Sequence, residues 1–462
     1  MDAEDGPMRL RMILLAALGL GIGLIAYWST QPRPLYNVVL ITLDTTRADH
    51  LGCYDPSRET SPRMDALASE GALFTNAMCS ASVTPVSHAS ILTGQHPYTH
   101  GLRVLHGQTE NRLPAEAVTI AEALSEWGYS TAAFISAFPA GSRFGLEQGF
   151  ETFDEDFLKT PMSKIVTARG AINTGLNQRG AAETTDNALR WLDGEQGRFF
   201  AWLHYFDPHD VQLLPPKDYL SQHPPVRGAP RQRLLKMYDI EIEYMDHHIG
   251  RVIDALEASG RLDNTIVVIV SDHGEGLGDH DWWTHGILYS EQLQSPMILH
   301  GPGIKPGLRV DHLVRTIDVM PTVLDLVGID PASISDMDGV SLTSQLEDNP
   351  VDPGLFAYAD SINMLTYTLS AGIQDKKNDM LFAVMDSEWK YIHHALRVEE
   401  SELYHLTSDP KELENLYRER PDQVRRLLDD LSSRPFAPDP KHGRGRMSKQ
   451  DMERLRSLGY SK

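Results

Sequence analysis

The sequence predicts a wound α/β fold: a central, mostly parallel sheet flanked by helices, followed by a smaller C-terminal α+β subdomain. Three observations predict it. Short apolar runs of strand length recur along the chain, helical patterns fall between them, and strands alternating with helices need a sheet covered on both faces. The runs are NVVLITL (Asn37–Leu43), TAAFIS (Thr131–Ser136), FFAWLHYF (Phe199–Phe206), TIVVIV (Thr265–Val270) and PMILH (Pro296–His300), each read as a buried parallel strand. Thr119–Trp127 is a helical pattern stopped by Gly128, and Leu234–Leu256 carries Ile240, Tyr244, Ile249 and Ile253 on one stripe. The turn-rich stretch Glu347–Gly354 (EDNPVDPG) divides a main unit at 35–346 from a subdomain at 355–462. In that subdomain Leu381–Val384 and Lys390–His393 read as antiparallel strands. Pro421 then opens a helix with Val424, Leu427, Leu428 and Leu431 on one face. Ser433–Ser448, rich in Pro, Gly and basic residues, reads as a surface loop.

The 462 residues suit two or three domains, or one large domain with an appendage. With 41% hydrophobic and 23% charged residues the composition is that of a globular chain, which excludes a disordered or fibrous protein. A net charge of −22 argues against a nucleic-acid partner. Cys53 and Cys79 are too few for a disulfide scaffold and leave one bridge or none. Met12–Trp28 (MILLAALGLGIGLIAYW) is a run of 17 residues without charge, the short end of the spanning range of about 17–25. Arg9 and Arg11 precede it, so residues 1–11 are expected in the cytoplasm, 12–28 in the membrane and the rest on the extracytoplasmic side. The competing reading, a cleaved leader, has no obvious small-x-small site after the run.

In open α/β sheets, ligands bind beyond the carboxyl ends of the strands. Three predicted strands run into polar clusters: Asp44-Thr45-Thr46-Arg47, Asp207-Pro208-His209-Asp210 and Ser271-Asp272-His273-Gly274-Glu275. Each alone could be turn chemistry. Together, if the strands are neighbours, they bring two Asp and one or two His to one rim, a set suited to a divalent metal. A fourth element, TPVSHASILTG (Thr84–Gly94), reads as a helix with Thr84 as N-cap and Pro85 at its first position. A hydroxyl there sits in a positive field that favours an alkoxide and an anionic ester, and a neighbouring metal lowers its pKa further.

These motifs resemble the sulfatase family of the alkaline phosphatase superfamily, from about Asn37 to Leu416. NVVLITLDTTRADHLGCY, TPVSHASILTG, SDHGEGLGDH, HGILYSE, DVMPTVLDLVG and ELYHLTSDPKELENL all match its signatures. The resemblance implies the alkaline phosphatase/sulfatase-like fold. It also implies one divalent metal held by Asp44, Asp272, His273 and the Thr84 oxygen: Ca²⁺ by family likeness, Zn²⁺ or Mn²⁺ by ligand chemistry. Thr84 matches the nucleophile, and His209 matches a His at the ester or leaving oxygen. His285 falls at a sulfate-binding Lys, His88 at the Arg of Cys-x-Pro-Ser-Arg, and Thr45 at a second Asp.

The departures bear on the chemistry. Sulfatases oxidise Cys or Ser at the nucleophile position to formylglycine. Oxidising a threonine gives a ketone, so no formylglycine is expected. A threonine sulfate lacks the elimination route by which formylglycine releases sulfate, whereas a threonine phosphoester can be resolved by water or an acceptor. The expected activity is metal-dependent hydrolysis of a sulfate, phosphate or phosphonate ester through Thr84. The partner is a small-molecule, glycan or lipid anionic ester, with His88 or His285 on the equatorial oxygens and His209 protonating the leaving alkoxide. The alternatives are a phosphoethanolamine-type transferase and an inactive anion-binding relative. His204 reads as a satisfied core residue, and Trp282 and Trp283 as cleft-lining or packing residues.

Overall fold

The computed structural model describes residues 36–103, 112–157, 164–167, 170–173, 177–209, 214–361 and 379–435. The Met12–Trp28 segment lies outside them, as does most of Ser433–Ser448. Among the described residues no helix is long and apolar enough to cross a membrane.

The main sheet contains β1 (Asn37–Leu43), β2 (Ala72–Met78), β3 (Ser130–Ile135) and β4 (Thr152–Asp154). A separate hairpin follows, β5 (Lys164–Thr167) with β6 (Gly170–Asn173). The chain then adds β7 (Phe199–Tyr205), β8 (Thr265–Ser271), β9 (Gln294–His300), β10 (Leu308–Val310) and β11 (Val314–Arg315) to the main sheet. The order is β10-β2-β9-β8-β1-β7-β3-β4, with β11 also on β2. β1 lies at the centre, parallel to β7 and β8, and Leu40 faces Trp202 on one side and Val268 on the other. All seven residues of β1, β7 and β8 are buried, which is why their sequences are near-continuous apolar runs, β-branched in β1 and β8 and largely aromatic in β7, rather than alternating.

The Pro296–His300 run does form a strand, but not a parallel one. β9 is antiparallel to both β8 and β2. Between β8 and β9 the chain has a loop with the short 3-10 turn Asp279–Asp281 and the four-residue helix Ser290–Leu293, and no long crossover helix to carry it back to the starting edge.

Helices α1 (Pro62–Ser69), α2 (Thr84–Thr93), α3 (Ile120–Glu126), α4 (Ala181–Gly194), α5 (Pro230–Ala258) and α6 (Val319–Leu326) cover the sheet. Thr119 and Glu122 form a capping box at the start of α3. Every residue of α2 is buried, and it ends at Gly94, whose φ of +64° lies in the left-handed region that favours glycine. The C-terminal part forms a second, antiparallel sheet in the order β12 (Ala357–Ser361), β13 (Leu381–Met385), β14 (Trp389–His394), β15 (Glu402–His405). Helix α7 (Pro421–Ser432) packs on it through Leu427 and Leu431.

Candidate active site

Because β1 and β8 are parallel neighbours in register, their last residues place Asp44 and Asp272 side by side. The backbone ladder runs one step beyond the strands: Asp44 N donates to Tyr205 O at 2.8 Å, and Asp272 N to Leu43 O at 3.3 Å. Both carboxyls are fully buried. Asp272 Oδ1 accepts from the backbone N–H of His273 (2.7 Å) and of Thr45 (3.1 Å). Thr45 reaches that position only in the left-handed region, φ +50°, which is unusual for a β-branched residue. Tyr238 of α5 holds the turn by donating to Thr45 O at 2.6 Å and accepting from Arg47 N at 2.9 Å.

His273 completes the cluster. Its Nδ1 lies 2.9 Å from Gly274 O, a pure acceptor, so Nδ1 carries the proton and the Nε2 lone pair faces the carboxylates. One ligand atom each from Asp44, Asp272 and His273 lies within 4.8 Å of the others. Asp44 Oδ1 and Asp272 Oδ2 are buried without a hydrogen-bond partner. Burial drives both carboxyls well above the usual range, opposed for Asp44 by the Thr84 hydroxyl and reinforced for Asp272 by Asp44. Two unsatisfied carboxylate oxygens and an aimed imidazole nitrogen in one buried cluster fit a divalent cation, whose charge would offset that cost.

Thr84 is the first residue of α2 rather than its N-cap. The N-cap is Val83, and no side chain caps the helix. The Thr84 hydroxyl instead lies 3.4 Å from His273 Nε2, beside Asp44. Ser87 pins α2 to the end of β8 by donating to Asp272 O at 2.6 Å.

The other predicted residues divide. His209 and His285 meet at the cluster's outer side. His285 Nδ1 donates to Ser82 O (2.9 Å), so its Nε2 accepts from His209 Nε2–H at 3.1 Å. The His285 ring lies 4.5 Å from that of His273, and His209 stacks on Phe206 at 4.2 Å. Burial holds all three imidazoles below their ordinary pKa, His285 at about 4. The Thr45 hydroxyl is buried without a hydrogen-bond partner, and its backbone N–H is the group that reaches Asp272.

His88, placed by the sequence at the substrate oxygens, has both ring nitrogens engaged within the protein. Its Nδ1 donates to Thr84 O at 2.8 Å, 3.5 Å from Asp272 Oδ2, and its Nε2 accepts from Thr42 Oγ1 at 3.0 Å. Both ring nitrogens are used inside the protein because the residue lies one helical turn below Thr84, where α2 is buried all round.

His204 has a larger part than its apolar neighbours indicated. Its Nδ1 accepts from Ser136 N (3.3 Å), so Nε2–H donates to Asp44 Oδ2 at 3.2 Å. The only available signal was alternation within β7, which puts His204 on the same face as Phe206, beside the end of β1. Trp282 is buried and donates to His285 O at 3.2 Å, whereas Trp283 is 55% exposed.

A family model described as Sulfatase matches residues 36–329, well over half the chain. The chain belongs to the sulfatase family. A second model, described as N-sulphoglucosamine sulphohydrolase, C-terminal, matches residues 278–434 of this sulfatase. An arylsulfatase of Clostridium perfringens is 28% identical, over 85% of this chain and 93% of its own. A Delta 4,5-hexuronate-2-O-sulfatase of Bacteroides thetaiotaomicron is 26% identical, over 87% and 90%. The phosphonate monoester hydrolase of Agrobacterium radiobacter shares the fold, with a TM-score of 0.66 at 21% identity over 86% and 95% of the two chains. The sulfatase-type sheet with its C-terminal antiparallel subdomain is thus present, and the protein is an ester hydrolase of this family.

Proposed function

We propose that this sulfatase cleaves a singly charged ester, a sulfate monoester, phosphodiester or phosphonate monoester, by forming a covalent adduct on Thr84. The observation that carries the reading is the Thr84 hydroxyl. It stands at a helix N-terminus yet does not cap the helix, and it points at His273 Nε2 beside Asp44. A divalent ion held by Asp44, Asp272 and His273 would supply positive charge that acidifies the neighbouring hydroxyl and offsets the ester's negative oxygens.

The chain's own groups account for the remaining steps. Thr84 Oγ1 gives up its proton to solvent and forms a bond to sulfur or phosphorus as the bond to the leaving oxygen breaks; it regains a proton when the adduct is hydrolysed. His285 and the Thr45 hydroxyl flank the oxygens that stay behind. An anion in the pocket raises the proton affinity of His209, which takes up a second proton from solvent at Nδ1 and, as the imidazolium, delivers its Nε2 proton to the leaving alkoxide. The neutral His209 then takes a proton from the water that hydrolyses the adduct. His88 acts by holding Asp272 and the first turn of α2. A threonine phosphoester is easier to resolve than a threonine sulfate, which favours phosphorus esters, and the named relatives favour sulfates. Their sulfated-sugar names extend the substrate range to glycans.

The test is a panel of an aryl sulfate, an aryl phosphodiester and an aryl phosphonate monoester, with Ca²⁺, Mn²⁺ or Zn²⁺ added. Thr84→Ala should lower turnover of the accepted ester by more than about a thousandfold, and denaturing mass spectrometry should find the adduct on Thr84 of the native protein. Turnover surviving in Thr84→Ala would overturn the reading. His209→Ala should slow esters with poor leaving groups by about 10²–10⁴ and activated aryl esters far less; an equal loss for both would remove His209 as the acid. We also propose that Met12–Trp28 anchors the protein with its catalytic unit outside the cytoplasm, which protease accessibility in intact cells would check.

A further inference from the structure

A cavity of about 780 Å³ opens between the segment 214–226 and the first turns of α5. Its walls are mostly apolar, with Leu214, Leu220, Val226, Leu234, Met237 and Ile240 among them. The volume is within the range of about 300–1,000 Å³ for small-molecule sites. Three lining residues are polar: Ser221, His223 and Arg233. Arg233 donates to Gly228 O at 2.7 Å, and His223 lies 3.5 Å from Glu243. A sugar, which needs polar partners around most of its rim, finds few here.

Three features join this cavity to the catalytic rim. The first turns of α5 stand at the carboxyl ends of β1 and β8, as the hydrogen bond from Tyr238 to Thr45 O requires. Met237 and Ile240 flank Tyr238 on that helix. The turn Asp207–His209 packs directly against α5, and Leu214 follows His209 by five residues, within about 18 Å of chain. The cavity and the turn that carries His209 thus share helix α5 as a wall.

We propose that this cavity receives an apolar leaving group, so that the preferred substrate is an amphiphilic ester: an anionic head at Thr84 and an alkyl or aryl body against Leu214, Leu234 and Met237. The proposal rests on the reading of Thr84 and His209 given above. That reading can be tested separately.

Calorimetry on the full-length protein with Mn²⁺ would compare n-octylsulfonate with ethylsulfonate, whose carbon–sulfur bonds cannot be hydrolysed. Octylsulfonate should bind at least about tenfold tighter, each buried methylene being worth roughly a factor of four at most. Leu214→Glu and Met237→Glu should each remove most of that difference and leave ethylsulfonate binding unchanged. Leu214 is 51% exposed, so its substitution does not threaten the fold. Equal affinity for the two sulfonates, or a chain-length preference untouched by both substitutions, would overturn the proposal. A sulfated disaccharide that bound more tightly than octylsulfonate and lost affinity in Met237→Glu would also overturn it. Turnover of ethyl and octyl sulfates or phenylphosphonates separates the two readings: no turnover with octyl preference retained sinks only the Thr84 chemistry, and turnover without chain-length dependence sinks only the cavity.

Discussion

His204 shows how a residue can serve the site without touching the substrate. It is fully buried, its tautomer is set by Ser136 N, and its only outward hydrogen bond goes to Asp44 Oδ2. That bond leaves Asp44 Oδ1 as the oxygen turned to the cluster. Replacing His204 with Phe keeps the ring and removes the donor. Metal affinity, read by equilibrium dialysis, should fall by about 10–100-fold, and His204→Gln should recover part of it. Unchanged affinity in His204→Phe would make the residue a packing element only. Asp44, Thr84, Asp272 and His273 were legible in the sequence because each ends a strand or begins a helix with a residue type that local structure does not demand. His204 and His88 were not. Their roles depend on what stands opposite them, Asp44 across 160 residues for His204 and Thr42 across 46 for His88.

At the scale of elements, the segment that carries His285 is held by the second sheet. Glu412, at the centre of the ELYHLTSDPKELENL signature, is buried with φ +54°. It pairs with Lys390 of β14 at 2.8 Å, accepts from Ser290 N at 2.6 Å, and its carbonyl lies 3.2 Å from His280 Nε2. His280 in turn meets Glu291 at 2.9 Å and stacks on Tyr289 at 3.8 Å. The signature thus serves as a clamp between the C-terminal sheet and the segment following β8. Both partners of the Lys390–Glu412 pair have no exposed side-chain surface. Lys390→Met strands a buried carboxylate and should cost about 3–5 kcal/mol, seen as a lower midpoint in urea. The double variant Lys390→Met/Glu412→Leu should recover most of the loss. If the single variant is as stable as the parent, the pair contributes nothing to the clamp.

For the molecule as a whole, buried carboxyls couple stability to protons. Burial raises Asp207 to about 7, against the backbone N–H of Ala181 that it accepts, and raises Asp246 to about 7 while it caps α1 through Arg63 N and Met64 N. A carboxyl whose pKa is higher in the folded state binds its proton more tightly there. Its contribution is complete below about pH 4 and is lost as pH rises through about 7. Over pH 5.5 to 8 the buried histidines, held below their ordinary pKa, act in the opposite sense, so the carboxyl is read by difference: in the metal-free protein the melting temperature of Asp246→Asn relative to the parent should rise from pH 5.5 to pH 8. A difference that stays constant over this interval would contradict the assignment. Adding the divalent ion at about 100 times its dissociation constant should stabilise the native state by about 2.7 kcal/mol at constant pH.

The sequence by itself determined the strands, the α/β alternation, the family and the residues gathered at the strand ends, because apolar periodicity and strand-end chemistry are written within a few neighbouring positions. Tertiary structure alone decided the antiparallel direction of β9, the pairing of His88 with Thr84 O and Thr42 and of His204 with Asp44, the clamp of Lys390 on Glu412, and the apolar cavity on α5. Each of these is a pairing between segments distant in the chain. Such pairings are settled by which groups can be buried together with their hydrogen bonds and charges satisfied, and no local pattern encodes that choice.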